Sequence, residues 1–272
     1  MIKTLMKIFP NFPSENNYDN WEIFNHDNYL KSSEENKEKI RRASCIARYN
    51  IEKDIKFSWM ENYFLKNLSH VKLENKSLLD IGCFTGGRLI AWSENYKLKK
   101  IFGIDINPIF KKAGEEFAKE KNIDAEFETG VGEKLPYMDS SFDFVVSTDT
   151  FEHVQNLELS IDECFRVLKP GGMLLAVFPQ YLQPFESHLN FVTNLPCLHW
   201  FFNSKKISEK YFEILNERGE SAKWYRGEKK KLDTWEKLPT LNGTSIRIFE
   251  NILKINNWSN IKWVKKPILT DG

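Results

Sequence analysis

Cysteine is scarce in this chain of 272 residues, which contains four: Cys45, Cys83, Cys164 and Cys197. Their wide spacing excludes a disulfide framework and a CxxC zinc knuckle, and free thiols are typical of a reducing compartment. The sequence also lacks any apolar run near the roughly 18 residues of a membrane span. The first residues, MIKTLMKIFPNF, contain no apolar core long enough for a signal peptide. We therefore expect a soluble, cytoplasmic protein with no stable membrane insertion.

A surplus of charge of one sign is also missing, because 39 basic residues face 38 acidic ones and the net charge is +1. Proteins that bind a nucleic-acid backbone usually carry a basic surplus, so we expect no nucleic-acid partner. The basic run 229–231 is interpreted as a solvated surface. The hydrophobic fraction is 41%, which is enough for a sizeable core.

The order of patterns along the chain divides it into four regions. They are an N-terminal arm with helices, a core, an insertion, and a final helix and strand, at 1–75, 76–180, 181–243 and 244–272. Residues 1–35 are polar and aromatic with weak periodicity, which predicts an irregular arm. Ser32 or Ser33 can cap a following helix, because the next residues are glutamates that suit the positive end of the helix dipole. We expect a break near Asp54 and a second helix that ends near Leu68.

Strand and helix patterns alternate through the core. Short apolar runs predict strands at 78–81, 100–106, 125–129, 142–149 and 173–179. Periodic runs predict helices at 88–94, 107–121 and 157–168, the last ended by Lys-Pro-Gly-Gly. This alternation predicts an α/β fold with a mostly parallel sheet, doubly wound, with helices on both faces. The insertion should contain a helix near 207–218, and a helix at 244–256 and a strand at 260–269 should follow it.

The first strand of the core runs into a loop with three glycines, within SLLDIGCFTGG at Ser77–Gly87. Glycines let a backbone approach a ligand closely, and a helix start offers free N–H groups. A plain strand–helix turn is the alternative. Asp105 ends the second strand, where an acid can accept hydrogen bonds from the two hydroxyls of a ribose. An adenine could lie at the loop 130–143, GVGEKLPYMDSSFD, so the pattern indicates a nucleotide-like site.

Four segments carry a family resemblance: LLDIGCFTGG, GIDINP, EKLPYMDSSFDFVVSTDTFEHV and RVLKPGGMLLAVFP. In this order, over roughly 76–180, they resemble the class I S-adenosylmethionine-dependent methyltransferases, specifically the type 11-like subgroup with small-molecule acceptors. The resemblance implies a Rossmann-like sheet. The patterns along the chain add an N-terminal helical extension and an insertion before the last helix and strand. It also implies S-adenosylmethionine as cofactor and methyl transfer to a small-molecule acceptor.

The resemblance assigns cofactor-binding roles to residues at the ends of the core strands. The set comprises Asp80, Gly82, Cys83 and Gly86 beside the methionine part, Asp105 at the ribose, Ile106, Gly132 and Glu133 at the adenine, and Thr148 facing the methionine part. Two other positions depart from the family pattern. Phe84 stands where a glycine is usual, and it cannot adopt every backbone geometry of glycine. Val131 stands where an aspartate often bonds the adenine amino group.

Histidines are the candidate bases, because a hydroxyl acceptor must lose a proton and the pKa of histidine lies near neutral. His153 follows the fourth strand, and His188 lies in the insertion. Each is a candidate catalytic residue, and each is alternatively a pocket or packing residue. A weaker metal hypothesis places Asp149, Glu152 and His153 on one helical face, and we expect no bound metal.

The favoured functional hypothesis is O-methylation of a small polar metabolite or sugar. A non-catalytic cofactor-binding or scaffold protein on the same fold is one alternative, motivated by Phe84 and the short C-terminus. A nicotinamide-dependent oxidoreductase is another, although its GxGxxG loop places the glycines differently. We also expect the sheet to be incomplete after 260–269: its last strand is absent, supplied by the N-terminal arm, or lost from a truncated chain. An unpaired sheet edge favours association, which makes a homodimer a candidate assembly.

Overall fold

The computed structural model describes residues 1–10, 32–68, 70–184, 189, 192–217, 242–255 and 258–262. The chain divides into two compact units. One is Tyr18–Phe178, and the other combines Met1–Asn17 with Pro179–Gly272. The division into four regions, made from the sequence, stays a prediction.

The Tyr18–Phe178 unit is built on a parallel sheet of five strands in the order β3-β2-β1-β4-β5. The strands are β1 (Ser77–Ile81), β2 (Lys100–Asp105), β3 (Ala125–Thr129), β4 (Phe142–Thr148) and β5 (Leu168–Val177). Helices α3 (Gly87–Tyr96), α4 (Pro108–Glu120) and α5 (Leu157–Val167) follow β1, β2 and β4. The α/β fold with a doubly wound parallel sheet is therefore confirmed. This strand order is typical of nucleotide-binding sheets.

The middle strands are apolar because helices cover both faces of a parallel sheet. In β1, the residues from Leu78 to Ile81 are all buried, and in β4 Val145 and Val146 are fully buried. Trp92 of α3 and Phe127 of β3 are among the largest side chains of this core. The buried Asp80 is the polar exception in β1. It lies near the carboxyl end of this strand, where the glycine loop begins.

Two α-helices precede the sheet in the part of the chain that the structure describes. Helix α1 is Ile2–Ile8, so the prediction of an irregular arm was wrong for these residues. The amphipathic run around the buried Met6 explains the helix. Helix α2 is Glu34–Lys53. Its cap is Ser33, as predicted, whose hydroxyl accepts a hydrogen bond from the Asn36 N–H.

The break at the end of α2 was predicted correctly, because Asp54 leaves the helical conformation. The next helical stretch differs from a regular α-helix. It consists of a π-helical turn at Met60–Phe64 and a 3-10 turn at Leu65–Asn67. The buried Met60 and Phe64 hold it against the core of the sheet.

The fifth strand begins earlier than predicted. Phe142 pairs with Leu168, but Phe144 pairs with Met173, so β5 accommodates extra residues as a bulge. The Lys-Pro-Gly-Gly stretch thus lies within β5, although the sequence suggested a separate turn before the strand. Gly171, with φ of 77°, supplies the left-handed conformation that this bulge contains.

Within its described residues, the second unit contains α1 and three further helices. They are α6 (Leu198–Phe201), α7 (Ser204–Glu217) and α8 (Ile246–Ile255). The predicted helices near 207–218 and at 244–256 are confirmed. Residues 260–262 of the predicted final strand are not in a strand, and the remainder lies outside the described residues. The missing last strand and the homodimer therefore stay predictions.

Helix α2 packs against the first turn of α3 so closely that only a glycine fits there. A Cβ on Gly87 would overlap with the carbonyl oxygen of Cys45 and lie 2.9 Å from the Tyr49 nitrogen. Glu52 of α2 adds a polar link, because its carboxylate accepts a hydrogen bond of 2.7 Å from Trp92 Nε1. The helix that precedes the sheet is therefore a fixed wall beside the glycine loop.

We expect Gly87→Ala to lower the free energy of unfolding by about 3 kcal/mol, because the added methyl group would overlap with the backbone of α2. Urea denaturation would measure the change. Gly171→Ala is the matched control, since a Cβ there meets nothing within 4 Å. The control should lose only about 1 kcal/mol, from its left-handed backbone. Equal losses would show that α2 does not pack this closely.

Candidate active site

The candidate site lies at the carboxyl ends of the strands. Ile81 of β1 is in register with Ile104 of β2 and Ser147 of β4, and Asp105 is in register with Thr129 of β3. Because the strands are parallel, the residues that follow them meet at one edge of the sheet. The structure thus places the glycine loop, Asp105 and the end of β4 side by side, as the sequence predicted.

The glycines of the loop make room for protein atoms. Gly82 has φ of 76°, and a Cβ there would overlap with the Thr150 side chain. Gly86 has φ of 78°, and a Cβ there would lie 2.5 Å from a ring carbon of Phe127. Side-chain packing is therefore sufficient to explain these two glycines, and their contact with a ligand stays a prediction.

Most of the described N–H groups of the loop have partners within the protein. The Gly82 and Cys83 N–H groups both donate to the Ile104 carbonyl, at 2.8 and 3.2 Å. The Gly86 N–H donates to the Cys83 carbonyl at 3.0 Å. Strand β2 and the loop itself supply these acceptors. The expectation of free N–H groups concerned the start of the helix that follows, at Gly87, and these contacts do not test it. The Cys83 thiol is buried, and burial raises its pKa.

Asp105 is bonded by two backbone N–H groups. Its Oδ2 accepts from Phe84 and its Oδ1 accepts from Asn107, both at 2.9 Å. Burial raises the pKa of Asp105 above its ordinary value, and these two hydrogen bonds act in the opposite direction. Each carboxylate oxygen has two lone pairs, so both can still accept a further hydrogen bond. Two adjacent hydroxyls are a suitable partner for them.

Phe84 adopts a conformation that favours glycine, with φ of 53°. Its ring centroid lies 4.3 Å from that of Phe110 on α4, and Ile40 of α2 packs against the same cluster. A left-handed phenylalanine is strained by about 1–2 kcal/mol, and burial of its ring offsets this cost. Phe84, which stands where the family usually has glycine, thus attaches the loop to two helices.

Asp80 forms a buried ion pair with Arg88, a residue that the sequence analysis did not single out. Arg88 Nη2 lies 3.2 Å from Asp80 Oδ2, and Asp80 is 0% exposed. Burial raises the pKa of Asp80 to about 6, although Arg88 acts to lower it. The Asp80 side chain therefore holds the first turn of α3. The predicted place of Asp80 beside the methionine part of the ligand stays a prediction.

The predicted adenine side contains one exposed apolar residue and two residues with structural contacts. Ile106 is 71% exposed. A Cβ on the buried Gly132 would lie 3.3 Å from the Ser160 hydroxyl. Glu133 Oε1 accepts from the N–H groups of Gln155 and Asn156, at 2.7 and 3.1 Å. The Glu133 side chain thus secures the start of α5, and any contact with adenine would come from its backbone.

The end of β4 carries the predicted acceptor-side residues. Thr148 is buried, and its Oγ1 has no hydrogen-bond partner within the described part of the chain. His153 is exposed, and its Nε2 lies 3.6 Å from Oε1 of the buried Glu152. The second candidate base, His188, lies outside the described residues.

The premise of the metal hypothesis was wrong. Asp149 has a left-handed φ of 50°, and the residues up to His153 form turns, so the three side chains share no helical face. Among the described residues, no three His, Cys, Asp or Glu side chains are grouped as metal ligands.

Comparison with known proteins agrees with this geometry. Residues 79–176 match the family described as "Methyltransferase domain". Residues 79–176, about a third of the chain, thus have the sequence of a methyltransferase domain. The match spans the sheet from β1 to β5 and excludes α2, so Arg88 lies inside the family region and the wall formed by α2 lies outside it.

Curated relatives of the domain include enzymes of two acceptor types. Over 152 residues, the chain is 30% identical to malonyl-[acyl-carrier protein] O-methyltransferase 1 of Coxiella burnetii, covering 55% of this chain and 50% of the relative. Over 102 residues, it is 34% identical to norajmaline N-methyltransferase of Rauvolfia serpentina, covering 37% and 35%. The chain thus spans half the length of these relatives or less.

A solved structure of the YcgJ protein from Bacillus subtilis is also similar, with a TM-score of 0.46 and 20% sequence identity. The match covers 70% of this chain and 64% of that one.

The cofactor of this family is S-adenosylmethionine, and the described residues fit its nucleoside half. Asp105 retains acceptor capacity for two hydroxyls, and the neighbouring Ile106 exposes an apolar surface.

None of the helices within the described ranges is both long and apolar enough to cross a membrane.

Two arginines near the loop were not predicted as site residues from the sequence. Arg88 directly follows the last glycine of the motif, and this position alone could have identified it as a residue of the loop. Arg48 lies on α2, with its guanidinium carbon 5.9 Å from the centroid of the Phe84 ring. No motif marks it, because α2 reaches the loop only through tertiary packing.

The raised pKa of Asp80 has a consequence for stability. Because the folded pKa of about 6 exceeds the ordinary 3.8, the protonated carboxyl stabilises the fold below pH 4, and this contribution disappears as the pH rises through 6. We expect the unfolding free energy of the wild type, relative to Asp80→Asn, to fall by about 2 kcal/mol between pH 4 and pH 7. Urea denaturation of both proteins would measure it. A relative stability that increases with pH would mean that Arg88 dominates over burial.

Proposed function

We propose that this protein transfers the methyl group of S-adenosylmethionine to a hydroxyl oxygen of a small polar molecule, such as a metabolite or a sugar. The observation that carries the proposal is the position of Asp105. It lies in a methyltransferase domain, at the carboxyl end of β2, with acceptor capacity left on both oxygens. The exposed Ile106 beside it offers an apolar surface to a nucleobase.

The cofactor supplies an electrophilic methyl group on a sulfonium, whose loss leaves a neutral thioether. The protein then has to position the acceptor in line, exclude water and remove a proton. In this proposal Asp105 binds the ribose hydroxyls, Ile106 and the backbone of Gly132 and Glu133 flank the adenine, and the glycine loop adjoins the methionine part. Thr148 would face that part from the end of β4, where its buried hydroxyl can donate a hydrogen bond.

His153 is the proposed base for the acceptor hydroxyl. It is exposed at the end of β4, and its Nε2 lies 3.6 Å from Oε1 of Glu152, which can orient the ring. Such a pairing suits a histidine that accepts a proton during the reaction. His188 is the second candidate. The relatives include an O- and an N-methyltransferase, so the preference for oxygen depends on His153.

Calorimetric titration with S-adenosylhomocysteine, and with NADH in parallel, tests the cofactor. We expect S-adenosylhomocysteine to bind with micromolar affinity and NADH not to bind. Asp105→Ala should weaken the affinity for S-adenosylhomocysteine by about 1–3 kcal/mol, because charge-assisted hydrogen bonds to the ribose are lost. Asp124→Ala, which removes a surface carboxylate that pairs with Lys100, should leave the affinity unchanged.

Asp105→Ala also removes the bonds to Phe84 and Asn107, so a second ligand is needed. The 2′-deoxy analogue of S-adenosylhomocysteine should bind the wild type more weakly than the parent ligand does. The Asp105→Ala variant should show no such difference between the two ligands. If removal of the hydroxyl weakens binding equally in both proteins, Asp105 does not bind the ribose.

A further inference from the structure

Arg48 brings a positive charge to the glycine loop from outside the family region. It lies on α2, between Cys45 and Tyr49, whose backbone meets the first turn of α3 at Gly87. This close packing limits how far the helix can move. Arg48 is partly buried, and its guanidinium carbon is 5.9 Å from the centroid of the Phe84 ring. The guanidinium is therefore held beside the loop that follows β1.

Two acidic side chains near the glycine loop are bonded to partners other than Arg48. Glu52 Oε2 accepts hydrogen bonds from Trp92 Nε1 and from the Trp59 N–H, at 2.7 and 2.9 Å. The carboxylate of Asp80 is paired with Arg88 at 3.2 Å. Arg48 Nε is buried and has no hydrogen-bond partner in the part of the chain that the structure describes.

The surroundings of Arg48 are unfavourable for an isolated cation. Burial lowers the pKa of Arg48, and the nearby positive charge of Arg88 lowers it further. The attraction of Glu52 and Asp149 acts in the opposite direction. A cation that is partly removed from water and has no bonded partner is unfavourable, and an anion that binds to it reduces this cost. The geometry thus suits a ligand that carries a negative charge.

We propose that Arg48 binds the carboxylate at the amino-acid end of the cofactor. The proposal rests on the proposed function. Asp105, the proposed ribose ligand, is the last residue of β2, whereas Arg88 follows β1 and Asp149 follows β4. Strand β1 lies between β2 and β4. If the nucleoside of the cofactor is held at β2, the amino-acid end of the cofactor extends along the carboxyl ends of the strands towards Arg48. The planar guanidinium can donate two parallel hydrogen bonds to a carboxylate.

The test compares two ligands by calorimetry: S-adenosylhomocysteine and its decarboxylated analogue, which lacks only the carboxylate. The wild type should bind the complete ligand about 10- to 100-fold more tightly. Arg48→Met should weaken binding of the complete ligand by a similar factor and change the affinity for the analogue less than about threefold. Arg48→Lys keeps the positive charge but cannot donate two parallel hydrogen bonds. Its affinity for the complete ligand should lie between those of the wild type and Arg48→Met.

Arg42→Met is the matched control, because Arg42 is on the same helix and pairs on the surface with Glu120. It should bind both ligands as the wild type does. Loss of affinity for both ligands in Arg48→Met and Arg48→Lys would assign Arg48 a structural role, and unchanged affinity for the complete ligand would remove it from the site. Either result overturns the inference. A folded wild type that binds neither ligand would overturn the proposed function itself.

Discussion

The carboxylate of Asp105 bonds two backbone N–H groups that lie 23 residues apart in the chain, those of Phe84 and Asn107. One follows β1 and the other begins α4, so a single side chain sets the spacing of the two neighbouring strand ends. The rest of the candidate site is arranged around this contact. The exposed Ile106 is next to it, and the glycine loop cannot open without breaking it. Because the contact uses only one acceptor direction of each oxygen, binding of a ribose does not require its loss.

The loop itself is held from three sides by different kinds of contact. Its backbone bonds β2, the Phe84 ring packs against α2 and α4, and Arg88 joins the buried Asp80. The close contact between α2 and Gly87 extends this support to a helix outside the family region. A site with so many internal contacts is largely preformed. Binding should therefore cost little conformational entropy.

Much of the core was predictable from the sequence, because alternating apolar runs and helical periods identify a parallel sheet without knowledge of distant contacts. Asp105 was predictable for the same reason, since the end of a parallel strand has a fixed place in such a fold. The bulge in β5 was not predictable, because it depends on the register with β4. The residues that pack against the loop glycines could not be predicted from the sequence either. Phe127 and Cys45 are distant in the sequence, and only tertiary packing brings them to the loop.

The most direct test of this account is a crystal structure of the protein with S-adenosylhomocysteine. We expect both ribose hydroxyl oxygens within roughly 3 Å of the Asp105 carboxylate. We also expect the hydrogen bond from the Phe84 N–H to Asp105 to be retained. A ribose bound away from the end of β2, or a loop that has to release Asp105 before the ligand fits, would contradict the account.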